Sequence, residues 1–176
     1  AQIMFGGLLY PSQDNWLARV LAIYQDDPFA DDHNWYMDVV AVHNYSYPWR
    51  SAWLTLYVQQ TLSAYDLDRP VWLNERGAPV WDDYPGPTWA AELPDRQLRA
   101  TNQQLAYFFI QSTAYAWAQG ADKVFYHQLY DDCGNQPAGT DFPPSDGEIC
   151  KPGDICFGDA FGLYRNQSSA LCFAQH

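Results

Sequence analysis

Positive charge is scarce in this 176-residue sequence. Lys123 and Lys151 are its two lysines, and nine Lys and Arg stand against 21 Asp and Glu, for a formal net charge of -12. So acidic a surface has no basic patch to neutralise phosphates, which argues against nucleic acid or an anionic membrane as partner and favours a neutral ligand. No apolar run is long enough to span a bilayer, and no signal peptide opens the chain. No strand leads into a G-x-G-x-x-G phosphate loop, because Gly6 and Gly7 lie inside an apolar run. A G-x-S-x-G elbow is also missing, which makes Ser/His/Asp catalysis a poor fit. The four histidines, His33, His43, His127 and His176, are scattered, so neither a metal site nor a cofactor is expected. The acidic runs at Asp26–Asp27, Asp31–Asp32 and Asp82–Asp83 lack calcium-loop spacing and read as solvated loop faces.

Aromatic residues are abundant. Eight Trp and thirteen Tyr supply flat apolar faces with polar tips, useful in a core and equally for stacking on sugar rings. Cys133, Cys150, Cys156 and Cys172 fall in the last third, around a loop rich in Gly, Pro and Asp, and no pair has C-x-x-C spacing. Disulfides tying down a long loop of an exported protein are the expected use, so a secreted or extracytoplasmic location is expected too. Asn44 and Asn166 each begin an N-x-S acceptor pattern, which is compatible with secretion. The chain opens "AQIMFGGLLYP", without Met and already in a strand-like run, as a processed or truncated polypeptide would.

Four short, nearly continuous apolar runs recur, at 3–10, 37–45, 69–75 and 122–130, as strands buried on both faces require. Helical stripes alternate with them. One follows Asp14, the expected N-cap, through Trp16, Val20, Ile23 and Tyr24; a second runs from Ser51 to about Tyr65; a third runs from Arg96 to Gln119, with Gly120 placed to end it. Strand–helix alternation of this kind predicts an α/β fold with a parallel sheet, and the spacing suits a (β/α) barrel as a single domain over 1–176. Residues 131–160 read as a long irregular loop within it.

Parallel α/β folds bind ligands beyond the carboxyl ends of their strands. The residues that end the four runs are Leu9-Tyr10-Pro11, His43-Asn44-Tyr45, Asn74-Glu75 and Tyr126-His127-Gln128. Glu75, with Trp72 and Trp81 close in sequence, is the strongest signal: a carboxylate at an apolar strand's tip suits a nucleophile or a base. The competing reading pairs it with Arg76, Arg69 or a helix N-terminus. His43 and Tyr45 are two apart and share a side of their strand, so Tyr45 can reach Glu75 if that side faces inward. His43 and His127 read equally well as satisfied core histidines.

"DVVAVHNYSYP", "RPVWLNERGAP", "KVFYHQLYDD" and "FGLYRNQ" together resemble the second half of the (β/α)8 barrel of clan A retaining glycoside hydrolases, strands five to eight. The resemblance implies a TIM-type barrel of which this chain holds the C-terminal half, about four parallel strands with intervening helices. It implies that Glu75 is the catalytic nucleophile and that His43 and Tyr45 line the sugar site, with Asn44, Trp81, Tyr126 and His127 as further substrate-binding candidates. It implies retaining cleavage of a β-glycosidic bond in an oligosaccharide or polysaccharide. Retaining hydrolysis needs a second carboxyl group about 5–5.5 Å away. In this family that acid/base is a Glu after Asn on strand four, and this sequence has no second Asn-Glu. The expectation is therefore an O-glycosyl hydrolase fragment, inactive alone, whose acid/base lies in a missing N-terminal half. The rival is a non-catalytic carbohydrate-binding or scaffold half-barrel that self-associates through exposed sheet edges.

Overall fold

The computed structural model describes residues 1–10, 14–78, 100–129 and 162–163. Trp81, the four cysteines, Asn166 and the loop 131–160 lie outside them. The described residues fall into two units, one made of 1–76 with 109–126 and the other of the described parts of 77–108 and 127–176.

The first unit is built on a parallel four-stranded sheet in the order β1 (Met4–Leu8), β2 (Val39–Asn44), β3 (Val71–Arg76), β4 (Lys123–Val124). Helices α1 (Trp16–Gln25) and α2 (Arg50–Ser63) accompany it, with the part of α3 (Asn102–Ala118) from Phe109 onward, giving the α/β alternation the apolar runs predict. The fourth run yields a two-residue strand, although Phe125 N still donates to Leu73 O at 2.8 Å. Each helix boundary has a local cause. The N-cap of α1 is Asn15 and not Asp14: Asn15 Oδ1 accepts from Ala18 N at 3.0 Å, while Asp14 reaches forward to Arg19 at the surface. At the far end of α3, Gly120 takes φ 82°, so that its N–H meets Trp117 O and the Ala121 N–H meets Ala116 O.

Val40 and Val42 of β2 and Val71 and Leu73 of β3 point toward the helices, where they join Leu17, Leu21, Leu54, Val58 and Leu62 in one buried cluster. Each such side chain contributes about 1.5–3 kcal/mol by leaving water. Before β2 the chain turns through Asn34, Trp35 and Tyr36, all in the left-handed region at φ 54°, 53° and 55°. Side-chain bonds hold this costly turn: Trp35 Nε1 donates to Asp31, Arg69 donates to Asn34, and Tyr36 OH donates to Asp27 at 2.7 Å.

The register contains two irregularities. Phe5 pairs with Val40 and Gly7 with Ala41, so Gly6 is extra on β1. Leu73 pairs with Val42 and Glu75 with His43, so Asn74 is extra on β3.

Candidate functional site

Side chains alternate along a strand, and Val71 and Leu73 face the helices. Strict alternation would send Glu75 to the helical side as well. The bulge at Asn74 absorbs one residue and reverses the parity, which sets Glu75 level with His43 and Arg76 level with Asn44. Glu75 thus emerges at the carboxyl end of β3 on the face away from the helices, and Arg76 enters the helical layer.

Glu75 meets two groups there. The Tyr45 hydroxyl donates to Glu75 Oε1, and His43 Nε2 lies 3.5 Å from Oε2. The side chains of His43 and Glu75 are partly buried, at 22% and 33% exposure, so a small ligand can still reach them. Room for the imidazole comes from Gly7 on β1, where any β-carbon would overlap the His43 ring. Neither Arg69 nor Arg76 pairs with Glu75. Arg69 is taken up by Asn34 Oδ1, Met37 O and Asp68 O, at the opposite end of β3.

Arg76 is 2% exposed and meets no carboxylate among the described residues. Its Nη1 donates to Phe109 O and Ser112 Oγ, and its Nη2 to Thr113 Oγ1, clamping the tip of β3 to one turn of α3. The rings of Phe109 and Tyr126 stand 5.0 and 5.4 Å from its Cζ, and burial pulls the guanidinium down to about 10, the Tyr126 hydroxyl opposing slightly. It remains charged at neutral pH. Tyr126, a substrate-binding candidate in the sequence, packs here against Phe109 and Arg76.

Asn44 is 1% exposed, and its amide is engaged within the protein. Nδ2 donates to Tyr47 O at 3.1 Å and Ser51 Oγ at 2.7 Å, while Oδ1 accepts from Ser46 N at 2.9 Å. The side chain therefore braces the turn from β2 into α2. Tyr10, past β1, is buried edge-on against Trp53 and Tyr57 at 6.4 and 5.1 Å, and its backbone carbonyl accepts from Arg50. Burial pushes the Tyr10 phenol above its ordinary range, with Tyr57 adding to the effect. His127 belongs to the second unit, and Trp81 lies outside the described residues.

Two contributors escape a reading by motif, Gly7 and Asn74. A glycine inside a strand signals close approach of another group, and that was the available clue for Gly7. Asn74 offered none. Its buried Oδ1 has no partner among the described residues, and its amide reaches only Met4 Sδ, at 3.9 Å.

The arrangement holds one carboxylate oxygen by a phenol and presents the other beside an imidazole, as suits a carboxylate that attacks or accepts a proton. Among the described residues, no three His, Cys, Asp or Glu side chains gather as metal ligands, and no helix is long and apolar enough to cross a membrane. No family model and no curated protein matches the sequence. In structure the chain is similar to the β-glucuronidase of Ruminococcus gnavus, with a TM-score of 0.42 and 10% identity, over 76% of this chain and 20% of that one.

Proposed function

We propose that this chain carries the nucleophile side of a retaining β-glycoside hydrolase site, on the C-terminal half of a (β/α)8 barrel. The supporting observation is the posture of Glu75, turned off the helical face by the Asn74 bulge and held by Tyr45 beside His43 at the carboxyl end of a parallel strand. In the proposed reaction a Glu75 oxygen bonds to the anomeric carbon as the glycosidic C–O bond breaks, and the leaving oxygen takes the electron pair together with a proton from an acid/base. Water then releases the sugar with retained configuration. The acid/base is assigned to a carboxyl group outside these 176 residues. The substrate is a β-linked oligosaccharide or polysaccharide, and the sites of action are extracytoplasmic.

The nucleophile can be tested without the acid/base. In a 2,4-dinitrophenyl 2-deoxy-2-fluoro-β-glycoside the leaving phenolate is too weakly basic to need protonation, and the fluorine slows hydrolysis of the glycosyl-enzyme. Incubation with gluco-, galacto- and xylo-configured reagents should add one fluoroglycosyl group to the peptide containing Glu75. The Glu75→Gln variant, folded by circular dichroism, should take up none. Labelling of another residue, or of none, would overturn the assignment.

A further inference from the structure

After Tyr45 the chain runs Ser46-Tyr47-Pro48-Trp49 into α2, and both aromatic residues are left in solvent. Tyr47 is 57% and Trp49 52% exposed, and their rings stack with centroids 5.9 Å apart and planes 6° from parallel. A contrasting pair sits one turn later. Trp53 stacks on Tyr57 at 4.8 Å, takes the Arg50 guanidinium at 4.6 Å and meets buried Tyr10 edge-on, so its ring is engaged by neighbours although it is 37% exposed. Tyr47 and Trp49 make no ring or cation contact besides the one with each other among the described residues.

The turn that displays them is rigid. Tyr47 O accepts from both Asn44 Nδ2 and Arg50 N, Ser51 N closes on Pro48 O, and Pro48 fixes its own φ. Buried Asn44 thus holds two exposed rings in a set geometry, so little order is left to be lost on binding. Two residues of chain reach at most about 7 Å, which keeps Tyr47 near Tyr45 and its contact with Glu75. The formal charge of -12 selects a neutral occupant over an anionic one. Flat rings with polar tips match the C–H face of a pyranose and its surrounding hydroxyls.

We propose that Tyr47 and Trp49 form a carbohydrate-stacking platform, a subsite for a pyranose unit of the same β-linked chain whose scissile bond lies at Glu75. This rests on the glycosidase reading for the second half of that statement only. Binding of β-linked gluco-, manno- and xylo-oligosaccharides of two to five units is measured by calorimetry. Trp49→Ala and Tyr47→Ala should each weaken tetrasaccharide binding about tenfold. Trp49→Phe should restore most of it, and Trp16→Ala, which removes another exposed indole, should change nothing. The indole N–H resonance of Trp49 should shift on titration of wild type. Unchanged affinity in Trp49→Ala, no shift at that indole, or no binding by any of the sugars overturns the platform. Platform-dependent binding without labelling of Glu75 would overturn the glycosidase reading alone.

Discussion

Replacing Arg76 by lysine should damage the fold more than replacing it by methionine, although lysine keeps the charge. The guanidinium donates three hydrogen bonds into α3, and bonds from a charged donor contribute about 1.5–3 kcal/mol each. Against that stands desolvation with no compensating carboxylate among the described residues: the fall from 12.5 to about 10 corresponds to roughly 3 kcal/mol. Methionine loses the bonds, sheds the desolvation cost and fills much of the space between Phe109 and Tyr126, for a net loss of about 1–3 kcal/mol. Lysine retains the buried charge but presents one nitrogen where a fork met three acceptors, and should lose about 3–4 kcal/mol. Urea unfolding of the intact chain at pH 7, followed by circular dichroism and tryptophan fluorescence, compares the two directly. If Arg76→Lys proves as stable as Arg76→Met or more so, a point charge suffices at this position and the fork reading is wrong.

Two further expectations concern the room beside Glu75 and the turn before β2. Gly7→Ala should leave the melting temperature nearly unchanged but, by turning the His43 ring away, slow fluoroglycoside labelling of Glu75 by about ten- to a hundredfold. Labelling at the wild-type rate would show that the ring's position is immaterial. The Asp27 carboxyl is held below its ordinary range first by the Phe29 N–H and then by the Tyr36 hydroxyl. On acidification the unfolded chain therefore takes up this proton before the folded one does. The stability from these bonds is present above the ordinary carboxylate value and disappears as pH falls through the folded value. The melting-temperature gap between wild type and Asp27→Asn should be full above about pH 5 and close toward about pH 2. A gap independent of pH would refute that account.

The strands and helices of the sheet were readable because hydrophobic runs and helical stripes are set by burial, which the structure repeats at Val39–Asn44 and Val71–Arg76. The aim of Glu75 was not readable. In "VWLNER" every residue through Leu73 is apolar, so no alternation marks either face, and the bulge rests on pairing with β2 that only the folded sheet creates. The choice between Asp14 and Asn15 as cap was equally closed, since adjacent polar residues offer the same oxygen one position apart. Asn44 and Tyr126 look alike in sequence, as polar groups ending strands. Their surroundings separate them: one braces a turn and the other flanks a buried cation.

The extra residue at Asn74 makes the chemistry of this rim sensitive to strand register as much as to residue identity. Deleting Asn74 would restore strict alternation through β3 and still leave Glu75 level with His43 and Arg76 level with Asn44. Drawing the bulge flat with Asn74 kept would instead drive the carboxylate toward Ser112 and Thr113, and a guanidinium would stand beside His43 and Tyr45. No substitution is involved, yet an electron-pair donor is exchanged for an anion receptor. What fixes the chemistry of this rim is therefore the pairing of β3 with β2, and a strand shorter by that one codon would keep it.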